Sequence, residues 1–258
     1  MMGDIMRILR TLAGLLAALV ICGVVVVGIL ILAAPRQGAS NQAAPADLPR
    51  FATQAPVIRA AAAVGAGVAG LADPAWIVST ARATGIPPRA LEAYAGVAIQ
   101  VANTGSGCGI GWNTLAAIGE VESHHGTIFG GTLDANGTAT PPIFGVPLAG
   151  GAVANIPDTD GGAIDGDPTI DRAVGPMQLI PQTWRNWHTD ANGDGIQNPQ
   201  NIDDATMAAA HYLCRAGAQR LGKESGWRKA VLAYNGSNVY LDDVIRYATG
   251  YAKDAAAG

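Results

Sequence analysis

The chain has 258 residues, of which 49 % are hydrophobic and 14 % charged, so it can bury one sizeable core and still carry appendages. Its formal charge is −4 at neutral pH, and no basic run follows the N-terminal arginines. Nucleic-acid binding leaves an Arg/Lys footprint, and that class is excluded.

The first appendage is an apolar stretch. Residues 1–11 carry Arg7 and Arg10, and residues 12–34 are almost uniformly apolar. At about 1.5 Å per helical residue such a run can cross a hydrocarbon core. The arginine bias keeps residues 1–11 in the cytoplasm and sends the remainder across the membrane. A cleavable signal near Ala33-Ala34 is the competing reading, although its apolar core would be shorter. A lipoprotein signal is disfavoured because Ile21, not a small residue, precedes Cys22. Residues 35–72, rich in Ala, Pro, Gln and Gly, have too few large apolar groups to make a core and read as a flexible tether.

The folded domain is expected over 73–258, beginning near Asp73-Pro74, and its signals are mostly helical. Pro87 and Pro88 open a helix that runs through Gln100, with proline in the first turn. The next runs from Trp112 through Glu122. Pro181–Trp187, Asp203–Cys214, Trp227–Tyr234 and Val239–Tyr251 follow, the second of these with two acids in its first turn. Between Gly126 and Asp171 the helical pattern lapses into Gly-, Pro-, Thr- and Asp-rich sequence, an interval too long to be an idle connection or else a tolerated insertion. The expected fold class is mostly α, with a Gly/Asp-rich loop insertion holding small strands or hairpins.

Glu122 is the leading candidate for chemistry. At about 100° per residue it shares a stripe with Leu115, Ile118 and Gly119, beside Trp112, while Glu120 points away. A carboxyl group set against apolar neighbours resists ionisation and can donate a proton near neutral pH. The bland alternative is a helix-end glutamate that reaches solvent. Glu120 and His124, four apart, lack a third metal ligand. Asp158, Asp160, Asp165, Asp167 and Asp171 are possible partner carboxylates for a two-acid glycosidase.

Asp190, Asn192, Asp194 and Ile196 fit the first half of a calcium loop, D-x-[DN]-x-[DN]-G, with Asn201 where its twelfth-position Glu belongs and Asp203 or Asp204 as possible substitutes. An Asp/Asn/Gly turn without metal is the other reading. Outside the apolar stretch only Cys108 and Cys214 remain, and an oxidising compartment favours one disulfide over two buried thiols. Gly175-Pro-Met-Gln178 precedes a helix start and Ala233-Tyr-Asn-Gly236 ends a helix, where Tyr and Asn can meet a sugar.

Taken together, these motifs resemble the bacterial lytic transglycosylases of the soluble-lytic-transglycosylase type, closest to the membrane-bound lytic murein transglycosylase B group. The likeness runs in order through Ile86–Tyr94, Ile118–Gly126, Asp171–Trp184, the Asp190–Asp204 loop and Leu232–Asn235. It implies a lysozyme-like fold, an elongated cleft and peptidoglycan glycan strands as substrate. Glu122 matches the family's catalytic acid. Ser123, Met177, Gln178, Tyr234 and Asn235 match positions that meet the substrate. The resemblance also favours structural calcium at the Asp190 loop, although the chemistry itself needs no cofactor. The competing functions are a hydrolytic muramidase and a non-catalytic, membrane-tethered glycan-binding protein.

Overall fold

A computed structural model of the chain describes residues 67–257 other than Ala152. The apolar segment 12–34, Cys22 and the tether over 35–66 lie outside the described residues. Among the described residues, no helix is long and apolar enough to cross a membrane.

The described residues form seven α-helices and four short strands. In chain order they are α1 (Pro74–Thr84), α2 (Pro88–Asn103), α3 (Trp112–Ser123), β1 (Thr132–Leu133), β2 (Ala139–Thr140), β3 (Phe144–Pro147), β4 (Arg172–Val174), α4 (Pro181–Trp187), α5 (Ile202–Ala216), α6 (Glu224–Tyr234) and α7 (Asn238–Ala257). The strands make two antiparallel pairs, β1 with β2 and β3 with β4. The expected mostly helical domain is present, and the Gly/Asp-rich interval holds the first three strands.

Local chemistry sets the helix starts. Pro74, Pro88 and Pro181 occupy first turns, where a missing N–H costs nothing. The Asp73 carboxylate caps α1 by accepting from the Ala75 and Trp76 N–H groups. Asn201 caps α5 in the same way through Asp203 and Asp204. The packed structure begins before the expected boundary at Asp73, because Val68 and Ala72 are already buried in the core.

The expectation of a single apolar stripe on α3 is corrected. Every residue from Trp112 to Gly119 is buried, with α2 and α7 packed along the helix, so α3 is the central element and not an amphipathic one. Close packing demands small residues there. A Cβ at Gly119 would overlap the Tyr94 hydroxyl of α2, and one at Gly96 would overlap the Val68 carbonyl. Only the last turn of α3, at Glu120, Val121 and Glu122, emerges from the core.

Candidate active site

The turn that ends α3 gives Glu122 its direction. His124, His125 and Gly126 are all left-handed, with φ of 49°, 59° and 83°. Two of these are not glycine, so the turn is strained and must be held by its surroundings. Ser123 supplies one restraint: its hydroxyl donates to the Pro176 carbonyl at 2.6 Å and accepts from the Gly126 N–H at 2.8 Å. His125 supplies the other. Its ring is 4 % exposed and bonds the hydroxyls of Tyr94 (3.1 Å) and Tyr251 (3.0 Å), with the Glu120 carboxylate 3.1 Å away. The His125 hydrogen bond is the main cause that draws Glu120 down to about 2, so Glu120 stays ionised. Glu120 also bonds His124 at 3.1 Å, and this pair belongs to the structural network behind the helix.

Glu122 faces the other way, into a cavity of about 520 Å³. The Tyr240 hydroxyl of α7 donates to its Oε1 at 2.6 Å. Burial raises the Glu122 carboxyl to about 7, and the Tyr240 bond, which favours the charged form, only partly offsets this. Gln178, Tyr234 and Asn235 line the same cavity, together with Tyr212 and an apolar wall from the β3–β4 region that includes Val146, Leu148, Val153 and Ile156. Among the described residues lining this cleft, Glu122 is the single carboxylate.

Tight turns place the polar lining. Gln178 closes the turn after β4 with φ of 46°, and its Nε2 donates to the Gly175 carbonyl at 3.0 Å. Tyr234, in the last turn of α6, donates its hydroxyl to the Met177 carbonyl at 2.6 Å. Asn235 follows at the end of that helix, its Oδ1 accepting from Ser237 N–H. Ser123 and Met177, expected at the substrate, are buried beneath the cleft and do not line it. What each of them contributes is a backbone or hydroxyl contact that fixes a neighbour.

Residues 151–256 match the family model described as the transglycosylase SLT domain. That stretch is similar to the transglycosylase SLT domain. No curated protein and no solved structure matches it. The matched residues include Gln178, Tyr234, Asn235 and Tyr240, whereas Glu122 lies ahead of them and meets them through the Tyr240 bond. Sequence reading missed Tyr240. It lies on one stripe of α7 with Val244, Ala248 and Tyr251, a pattern that marks it as a core residue but does not name a polar partner.

The five aspartates considered as partner acids stand elsewhere. None of Asp158, Asp160, Asp165, Asp167 or Asp171 lines the cleft. Asp158, Asp160 and Asp171 bring oxygens within 4.8 Å of one another, but the cluster is stitched into its own loop. Thr159 donates to Asp171 through its N–H and hydroxyl, and the Gly161 N–H donates to Asp158.

The Asp190 loop is likewise tied to itself. Asp190 accepts from the N–H groups of Gly193, Asp194 and Gly195, Asp194 accepts from Ile196 N–H, and Asn192 Nδ2 donates to Asp194. The Ile196 side chain is exposed. Asn201, in place of the twelfth-position acid, is spent on capping α5. Asp204 reaches back instead and accepts from Ala191, Asn192 and Asn198 N–H groups. The twelfth-position acid of a calcium loop is therefore absent, and Asp204, one of the two acids expected as its substitute, is the carboxylate that reaches the loop.

The expected disulfide is present. Cys108, in the loop between α2 and α3, is bonded to Cys214 of α5, with the Cα atoms 5.4 Å apart.

Proposed function

We propose that this protein is a peptidoglycan lytic transglycosylase that cleaves the β-1,4 bond between N-acetylmuramic acid and N-acetylglucosamine without water. In this reading the apolar N-terminal segment anchors the domain to the cytoplasmic membrane, on the outer side. The observation that carries it is that, among the described residues lining a cleft with Gln178, Tyr212, Tyr234 and Asn235, the single carboxyl is Glu122, which burial raises to about 7.

Neutral Glu122 protonates the glycosidic oxygen as the bond to the muramoyl C1 breaks. The neighbouring acetamido oxygen of that sugar assists departure by attacking C1, so no enzyme nucleophile is required. The Glu122 carboxylate then removes the proton of the C6 hydroxyl, whose oxygen attacks C1, displaces the acetamido oxygen to restore the free acetamide, and closes a 1,6-anhydro ring. One group serves as acid and then as base, and a carboxyl raised to about 7 suits both steps. A hydrolytic muramidase of the ordinary type needs a second acid, and the absence of another carboxylate among the described lining residues supports the single-acid route.

Mass analysis of digested peptidoglycan tests this directly. The expected products end in anhydro-muramic acid, one water lighter than reducing ends. Reducing ends alone would establish hydrolysis and overturn the proposal.

Tyr240 gives a second test. Tyr240→Phe removes the donor that favours the Glu122 carboxylate, so the alkaline limb of the pH–rate profile should move to higher pH. Losing the orienting bond should also lower kcat by on the order of tenfold. An unmoved limb would show that Tyr240 does not tune the acid.

A further inference from the structure

A second cavity, about 660 Å³, shares no lining residue with the cleft. Its floor is apolar: Val68, Val101, Met207 and the Cys214 half of the disulfide are all buried. Trp187 forms a half-buried wall. Gln100, Arg215 and Gln219 stand exposed at the rim, with no hydrogen bond or ion pair inside the described residues occupying their side chains. Asp190 also lines the cavity, so an aromatic wall stands among amide, guanidinium and carboxylate groups, chemistry that fits the face, hydroxyls and acyl groups of a sugar.

Helix geometry links the two cavities. Thr183 and Trp187 are four residues apart on α4, so the helix presents them on one face, and Ile180 immediately precedes its first turn. Ile180 and Thr183 line the Glu122 cleft, and Trp187 lines the second cavity. On α5, Tyr212 serves the cleft while Arg215, three residues on, serves the second cavity. From Thr183 to Trp187 the helix rises about 6 Å, so a single short helix carries residues of both cavities.

We propose that the second cavity is a distal subsite for the glycan strand, set beyond the cleft along α4, with Trp187 stacking on a sugar and Arg215 and Gln219 holding its polar substituents. This rests on the reading of Glu122 as the catalytic acid and adds a preference for long strands. A polymer that reaches past the cleft gains the distal contacts, and a short fragment does not.

Steady-state kinetics on short strands of two disaccharide repeats and on long strands test it, using Trp187→Ala and the double variant Arg215→Ala/Gln219→Ala. Both rim residues are exposed, so the double variant remains informative if Trp187→Ala fails to fold. Each variant should raise KM for long strands by about tenfold while leaving kcat and short-strand kinetics at the wild-type level. Trp187→Phe should restore most of the long-strand KM. Equal changes for short and long strands, or no change for the double variant, would overturn the proposal. Glu122→Gln separates the two levels. An active Glu122→Gln protein defeats the catalytic reading, whereas an inactive one alongside unchanged long-strand KM in the rim variants defeats only the distal subsite.

Discussion

Glu122→Gln is expected to remove glycan cleavage by on the order of 10³-fold or more, because one side chain supplies both proton transfers. The amide keeps the size of the carboxyl and can still accept the Tyr240 hydroxyl hydrogen bond, so the cleft should hold its shape. Product release from purified peptidoglycan, followed by mass analysis, measures the loss. Retention of more than about a tenth of the wild-type rate would exclude Glu122 as the acid, since general acid–base catalysis contributes about 10²–10⁴-fold.

The same substitution should stabilise the protein at alkaline pH, a sign opposite to its effect on catalysis. The carboxyl lies at about 7 in the folded chain against an ordinary 4.5, so the folded state holds the proton more tightly than the unfolded state does. Stability therefore falls as pH rises from 4.5 to about 7, and the cost persists above that window. Glutamine does not ionise and avoids it. At pH 8 the variant should be more stable by about 1–3 kcal/mol once the partial exposure of Glu122 is allowed for, and at pH 4 the difference should vanish. Thermal unfolding at the two pH values reads this as a rise in Tm of a few degrees at pH 8 only. An equal shift at both pH values would show that the carboxyl is not held neutral by burial.

Local chemistry was readable where one residue decides it. Pro181 fixes a first turn, and α4 spans Pro181–Trp187 as its sequence predicts. The glycines and aspartates between Gly126 and Asp171 marked an interval of short strands and tight turns in the same way. The direction in which a side chain points was less legible. Ser123 and Met177 carry the expected identities, but the left-handed turn after α3 and the turn after β4 set them beneath the cleft. Asn201 looked like a departure from a calcium loop, and its other use, capping α5, depends on where that helix begins. Tyr240 was illegible for a different reason. It is separated from Glu122 by 118 residues, and only the packing of α7 along α3 brings the two together.

Replacing both Cys108 and Cys214 by serine should cost about 4–5 kcal/mol, because the bridge spans 106 residues and chain entropy grows with the logarithm of the closed loop. For a domain of this size that corresponds to a fall in Tm of about 10–15 °C. The bridge ties a glycine-rich loop to the core, where Gly105, Gly107 and Gly109 all take left-handed φ near 70°. Glycines are the residues with the most backbone freedom to regain on unfolding, so the loop between α2 and α3 relies on its anchors. Besides the disulfide, the Cys108 carbonyl accepts from the Leu221 N–H at 2.7 Å. Cys214 lines the second cavity and not the Glu122 cleft, so the folded double variant should keep the wild-type kcat on short strands and the same alkaline limb. Thermal unfolding with and without reductant, alongside the pH–rate profile, separates these effects. A Tm within about 2 °C of wild type would mean that the unfolded chain gains little from losing the bridge, contrary to loop-closure entropy. A displaced alkaline limb would instead mean that the constraint on α5 reaches the environment of Glu122.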